Sequence, residues 1–122
     1  MEISLKDSVV GGNAVLEVHG EVDFFSAPSL QDRLAALIHS GSGPLLVNLC
    51  SVGFIDSTGL GAMVGCLTLA NERKRSLRVV CDQERVLKLF RITGLDSIFK
   101  IYASTDEALA ELAQEVSSYS AE

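Results

Sequence analysis

A chain of 122 residues is enough for one domain with a closed core. Its 48% hydrophobic and 21% charged residues describe an ordinary globular protein and exclude a disordered one. The net charge of −6, with the basic residues scattered, argues against nucleic acid as a partner, because phosphate contacts need a clustered Lys/Arg surface.

Ile3 and Leu5 alternate with polar neighbours and suggest a first strand, which Gly11-Gly12-Asn13 turns back. From Ala14 to Val22, Leu16, Val18 and Val22 share one face while Glu17, His19 and Glu21 share the other, as in a strand with one wet side. The two strands should pair as an antiparallel hairpin. Ser26-Ala27-Pro28 opens a helix, with Ser26 as N-cap and Pro28 in the first turn, where its missing N–H does no harm. Leu30, Leu34, Leu37 and Ile38 form its apolar stripe, and Gly41-Ser42-Gly43-Pro44 ends it. Leu45 to Leu49 is a nearly unbroken apolar run, expected of a strand covered on both faces.

A second helix is predicted from near Ser57 to about Arg73, with Leu60, Val64 and Leu67 facing inward. The basic run Arg73-Lys74-Arg75 reads as a solvated turn. Leu77 to Cys81 is another buried strand, and Glu84 to Arg91 a helix with Arg85, Lys88 and Arg91 outward and Gly94 as C-cap. A short strand is expected near Ile98 to Ile101. Ser104-Thr105-Asp106-Glu107 is a capping box for a last helix, whose apolar stripe is Leu109, Leu112 and Val116. Asp106, Glu107, Glu111 and Glu115 describe its acidic first turn and solvated face. The order β-β-α-β-α-β-α-β-α makes this a single α/β domain over residues 1–122, a mixed sheet with helices packed against it.

Cys50, Cys66 and Cys81 are odd in number, form no CxxC pair and sit in apolar stretches, so they read as small core hydrophobes in a reducing compartment. Met-Glu-Ile-Ser-Leu-Lys-Asp lacks the basic start and apolar run of a signal peptide, and no apolar run is long enough to span a bilayer. A soluble cytoplasmic protein without membrane or metal is expected, monomeric when free.

The chemically informative stretch is Val52-Gly53-Phe54-Ile55-Asp56-Ser57-Thr58-Gly59-Leu60-Gly61, which joins a buried strand to a helix. Asp56, Ser57 or Thr58 could each serve as the N-cap. Capping does not account for Gly59 and Gly61, each of which costs about 0.5–1 kcal/mol relative to Ala in a helix. Two such costs in one turn imply that something approaches the backbone closely. A phosphate on Ser57 would sit near the positive end of the helix dipole and cost the fold little, yet add about −1.5 to −2 charges beside Asp56. With Glu21 and Asp23 close by, the patch would become strongly anionic and expel a docked partner.

These residues carry a resemblance. Gly20-Glu21-Val22-Asp23 with Ser26-Ala27-Pro28, then Phe54-Ile55-Asp56-Ser57-Thr58-Gly59-Leu60-Gly61, then Glu84-Arg85 and Leu89-Phe90-Arg91-Ile92-Thr93-Gly94-Leu95, resemble the bacterial anti-sigma factor antagonists of the STAS domain family. The resemblance covers nearly the whole chain and implies a STAS-type mixed sheet. It also implies a partner switch. The unphosphorylated protein would bind an anti-sigma factor that is also a serine kinase, freeing a sigma factor. The kinase would phosphorylate Ser57 with ATP and Mg²⁺, and a metal-dependent serine phosphatase would reset the switch. By position Ser57 takes the phosphate, with Thr58 as a minor second site. Asp23 and Asp56 border it, Thr58, Gly59, Leu60 and Gly61 lie in the docking surface, and Phe24 and Met63 flank it.

A nucleotide-binding domain is the main rival, since Gly59-Leu60-Gly61 and Gly65 follow a strand and Asp82 ends the next one. The last glycine falls one residue late for that fingerprint, however, and the chain is short for two nucleotide-binding halves. A hydrolase is less favoured, because Ser57 lacks a Gly-x-Ser-x-Gly elbow and the sequence does not place both His19 and His39 beside it. A scaffold STAS module not regulated by phosphorylation is the alternative within the fold. No cofactor is called for.

Overall fold

In a computed structural model that describes residues 3–120, with side chains as far as residue 115, strands and helices alternate in the expected order. The strands are β1 (Ser4–Val10), β2 (Asn13–Val22), β3 (Leu45–Ile55), β4 (Leu77–Val80) and β5 (Ile101–Tyr102). The helices are α1 (Ala27–Ser40), α2 (Ser57–Glu72), α3 (Glu84–Ile92) and α4 (Thr105–Ser120). Gly11 and Gly12 take positive φ values of 58° and 80° in the two-residue hairpin between β1 and β2, a backbone that L side chains rarely adopt. β1 pairs antiparallel with β2, and every later pairing is parallel, in the order β1-β2-β3-β4-β5.

Side chains alternate across this sheet and build two unequal cores. Leu16, Val18, Leu45, Val47, Leu49 and Val79 point to one face, where Leu30, Leu34 and Ile38 of α1, Met63 and Cys66 of α2, and Val86 and Phe90 of α3 cover them. On the other face Val15, Leu46 and Val80 meet Ala108 and Leu112 of α4, with Leu109 half-buried beside them. Val116, expected on the same stripe, lies outside the described side chains. Among the described residues no helix is long and apolar enough to cross a membrane.

Several expectations are corrected. β3 runs on from Leu49 to Ile55, because β2 continues beside it through two register shifts to the pair Val22–Ile55, whereas β4 stops opposite Asn48. The last strand is Ile101–Tyr102 rather than Ile98–Ile101. Thr93, not Gly94, is the C-cap of α3; Gly94 follows at φ 75° and leads into a 3-10 turn at Leu95–Ser97, which leaves Ile98 exposed and delays pairing with β4. α2 buries Gly59, Leu60, Ala62, Met63, Cys66 and Ala70, while Val64 and Leu67 are only half-buried. The Arg73-Lys74-Arg75 turn is not fully solvated either. Lys74 takes a φ of 58°, and Arg75 turns inward to donate to the carbonyls of Leu37, Ile38, Ser42 and Gly43, satisfying the open end of α1.

Glu111 and Glu115 are not simply solvated, since both pair with the buried Arg78 of β4. The capping box at α4 holds: Ser104 Oγ accepts the Glu107 N–H, and the Glu107 carboxylate reaches back to the Ala103 N–H. The three cysteines are free thiols, and burial pushes Cys50 and Cys66 up to about 11.

Candidate functional site

The ends of β2 and β3 are tied together where the Asp56 N–H donates to the carbonyl of Val22, at 3.0 Å. Asp56 then leaves the strand in an extended conformation and starts α2 as its N-cap, its Oδ1 accepting the Gly59 N–H at 2.9 Å. Of the three residues that could cap this helix, Asp56 is the one that does. Ser57 stands one position further on, exposed, and among the described residues no hydrogen bond engages its hydroxyl. The cap and the Val22 carbonyl occupy two of the four free N–H groups at the helix start. Among the described residues no hydrogen bond engages those of Ser57 and Thr58, both of which are exposed.

Gly59 explains why helix and strands come so close. A Cβ there would lie 2.7 Å from Val22 Cγ1 and 2.8 Å from both Ile55 Cγ1 and the Val22 carbonyl oxygen. The close approach expected at the glycines is therefore internal at this position, helix against strand. Gly61 and Gly65 have nothing within 4 Å of an added Cβ, so they leave the outer side of α2 flat and open.

The second wall is the β2–α1 loop, Asp23-Phe24-Phe25-Ser26. Ser26 was expected to cap α1 by its side chain. Instead it is helical in backbone and makes no cap bond; its Oγ accepts the Asp23 N–H at 2.9 Å and donates to the Glu21 carbonyl at 2.7 Å. Asp23 Oδ1 in turn accepts the N–H groups of Phe25 and Ser26, at 2.9 and 3.0 Å. The Ser26 N–H above all holds the Asp23 carboxyl below its ordinary value, against the opposing effect of burial and with smaller help from the Ser26 hydroxyl and the Phe25 N–H. The loop so folded presents Phe24 and Phe25, 66% and 82% exposed, with ring centroids 5.5 Å apart and edge to face. Phe54, in register with Glu21 on β3, is a third exposed aromatic ring at this end of the sheet.

Asp23, Phe24, Asp56, Ser57, Thr58 and Gly61 are thus brought together at the surface. The expected docking set is otherwise corrected. Met63 is fully buried under the sheet, and Gly59 and Leu60 face inward, because α2 turns its 59/60/63 side to the core. Phe25 and Phe54 were not expected. The Phe-Phe pair directly after a strand end was the available signal, since large apolar side chains in a connection are either buried or used for contact.

Residues 5–108, which hold both walls of this site, match the STAS domain. The chain belongs to the STAS domain family. The anti-sigma-B factor antagonist of Staphylococcus epidermidis is 35% identical over 91 residues, which covers 75% of this STAS chain and 84% of that protein. Its counterpart in Staphylococcus aureus strain NCTC 8325 is 34% identical over the same length. Among solved structures, an anti-sigma factor antagonist from Mycobacterium paratuberculosis superposes with a TM-score of 0.82 at 27% identity, covering 89% of this chain and 92% of that one. The match to the phosphorylated form of SpoIIAA from Bacillus covers 89% of this chain and 99% of that one, with a TM-score of 0.67 and 20% identity, a likeness of fold.

Proposed function

We infer that this STAS domain, unphosphorylated, binds an anti-sigma factor with serine kinase activity, so freeing a sigma factor in the cytoplasm, and that phosphorylation of Ser57 ends the association. The observation that carries the reading is the free hydroxyl of Ser57 on an exposed helix start whose cap is supplied by Asp56. An acceptor serine must reach into another protein's active site, and this one can be modified without undoing α2. The kinase transfers the γ-phosphoryl of ATP to Ser57 Oγ. The O–P bond to ADP breaks, the new O–P bond forms, and the hydroxyl proton passes to a base of the kinase. In this step the chain acts as substrate and ligand of the kinase. A metal-dependent serine phosphatase reverses the modification.

The exposed Phe24 and Phe25 supply the apolar centre that a protein interface needs, and Asp23 and Asp56 its polar border. A new dianion in that border adds repulsion and bulk to a surface that was docked. Intact-mass spectrometry after incubation with ATP, Mg²⁺ and the cognate anti-sigma kinase tests the reading, with Ser57→Ala in parallel. One phosphate on the wild type and none on the variant is expected. An unmodified wild type would instead favour a scaffold STAS module, and a phosphate kept by the variant would move the site to Thr58.

A further inference from the structure

The Asp56 carboxylate serves two segments of chain at once. Oδ1 accepts the Gly59 N–H of α2 at 2.9 Å, and Oδ2 accepts the Phe24 N–H of the β2–α1 loop at 3.0 Å, across 32 residues. The four backbone N–H groups of that loop divide unequally. Those of Asp23, Phe25 and Ser26 are closed by the loop's own side chains, Ser26 Oγ and Asp23 Oδ1. The Phe24 N–H alone of these four is held from outside, by the residue next to Ser57. The exposed aromatic pair is therefore tethered to the start of α2 by one carboxylate oxygen.

We propose that Asp56 is a positioning residue that couples the state of Ser57 to the aromatic loop: it fixes Phe24 and Phe25 for docking, and a phosphate on Ser57 releases them. This rests on Ser57 being the modified residue. A phosphoserine one position after the cap competes for the N–H groups of the same helix turn, and its charge repels the neighbouring carboxylate. Either effect turns the Asp56 side chain. The bond to Gly59 is local, and the phosphate can replace it as acceptor. The bond to Phe24 has no such substitute, because that N–H belongs to another segment. Modification then acts twice, by placing charge in the interface and by loosening the rings that fill it.

Phosphoserine installed at position 57 by genetic code expansion tests this without any kinase, with Asp56→Asn as a second variant. Amide hydrogen exchange read by NMR in the full chain is the measurement. In the phosphoprotein the Phe24 amide should exchange about tenfold faster, the loss of one hydrogen bond's protection. The Phe25 and Ser26 amides, closed by Asp23, should change by less than about twofold. Asp56→Asn has a single acceptor oxygen, which caps the helix well, so it should free Phe24 while Gly59 stays protected. A phosphoprotein whose Phe24 exchange is unchanged would overturn the proposal. So would equal acceleration at the buried strand amides of Val47 and Leu49, which marks general destabilisation. Failure of a kinase to modify Ser57 would sink the switch reading and leave the Phe24 result standing.

Discussion

Arg78 of β4 grips the carboxylate of Glu115 on α4 with two hydrogen bonds, of 2.7 and 2.8 Å. The arginine side chain is 7% exposed, and it also donates to the Tyr102 hydroxyl at 2.9 Å and to Ser76 Oγ at 2.7 Å. Tyr102 is hydrogen-bonded to Glu111 in turn. The pair therefore forms part of the attachment of α4 to the minor face of the sheet, where the apolar contact is small. Arg78→Ala should destabilise the fold by about 1–3 kcal/mol, because the partners left behind lose a charged donor. Urea unfolding of wild type and variant measures the difference.

The same contact gives stability a pH dependence. The Arg78 hydrogen bond first, and its charge with that of Lys100 after it, hold the Glu115 carboxyl below its ordinary value. A carboxyl lowered in the folded state stabilises the fold above its unfolded value near 4.5, and that contribution is lost as pH falls through the folded value. The Glu115 side chain is 45% exposed, so the contribution stays under about 1 kcal/mol. Glu115→Gln should be less stable than wild type at neutral pH, and the gap should narrow as pH falls below about 4.5, as unfolding across that range would show.

Three glycines of α2 should respond in opposite directions. Gly59→Ala places a methyl group within 2.8 Å of the Val22 carbonyl, which is backbone and cannot swing aside, so a loss of about 1–3 kcal/mol is expected. Gly61→Ala and Gly65→Ala enter open space and should each stabilise the helix by about 0.5–1 kcal/mol. Thermal melts of the three variants separate the packing glycine from the two surface ones.

Phe25 and Met63 form a second contrast. Phe25 is 82% exposed and Met63 fully buried. Phe25→Ala should leave the melting temperature nearly unchanged and weaken binding to the anti-sigma factor, measured by calorimetry. Met63→Ala should cost about 2–5 kcal/mol of stability through the cavity it leaves.

The strands and the order of elements were legible because their signals are local. Leu16, Val18 and Val22 alternate with Glu17, His19 and Glu21, and no distant contact is needed to read that pattern. The buried face of α2 was less so. From Ser57 to Ala70 the helix is built mostly of small and apolar residues, so period alone gave no direction, and the contact of Gly59 with Val22 and Ile55 decided it. Arg75 and Arg78 were hidden for another reason. A buried arginine depends on acceptors such as the Leu37 carbonyl or the Glu115 carboxylate, both more than 30 residues away in sequence. At the site, the Asp-Ser-Thr-Gly string marked the helix start, but the choice of Asp56 as cap and the exposure of Phe25 required the third dimension.

Because the cap of α2 comes from Asp56, the residue after it is under little structural obligation. An alanine or threonine at position 57 would keep the helix and the sheet behind it. On the proposed reading, control by phosphate would be lost through the single change Ser57→Ala while the fold is kept. In a duplicated copy of such a gene, regulation would be among the first traits free to diverge, and foldedness among the last.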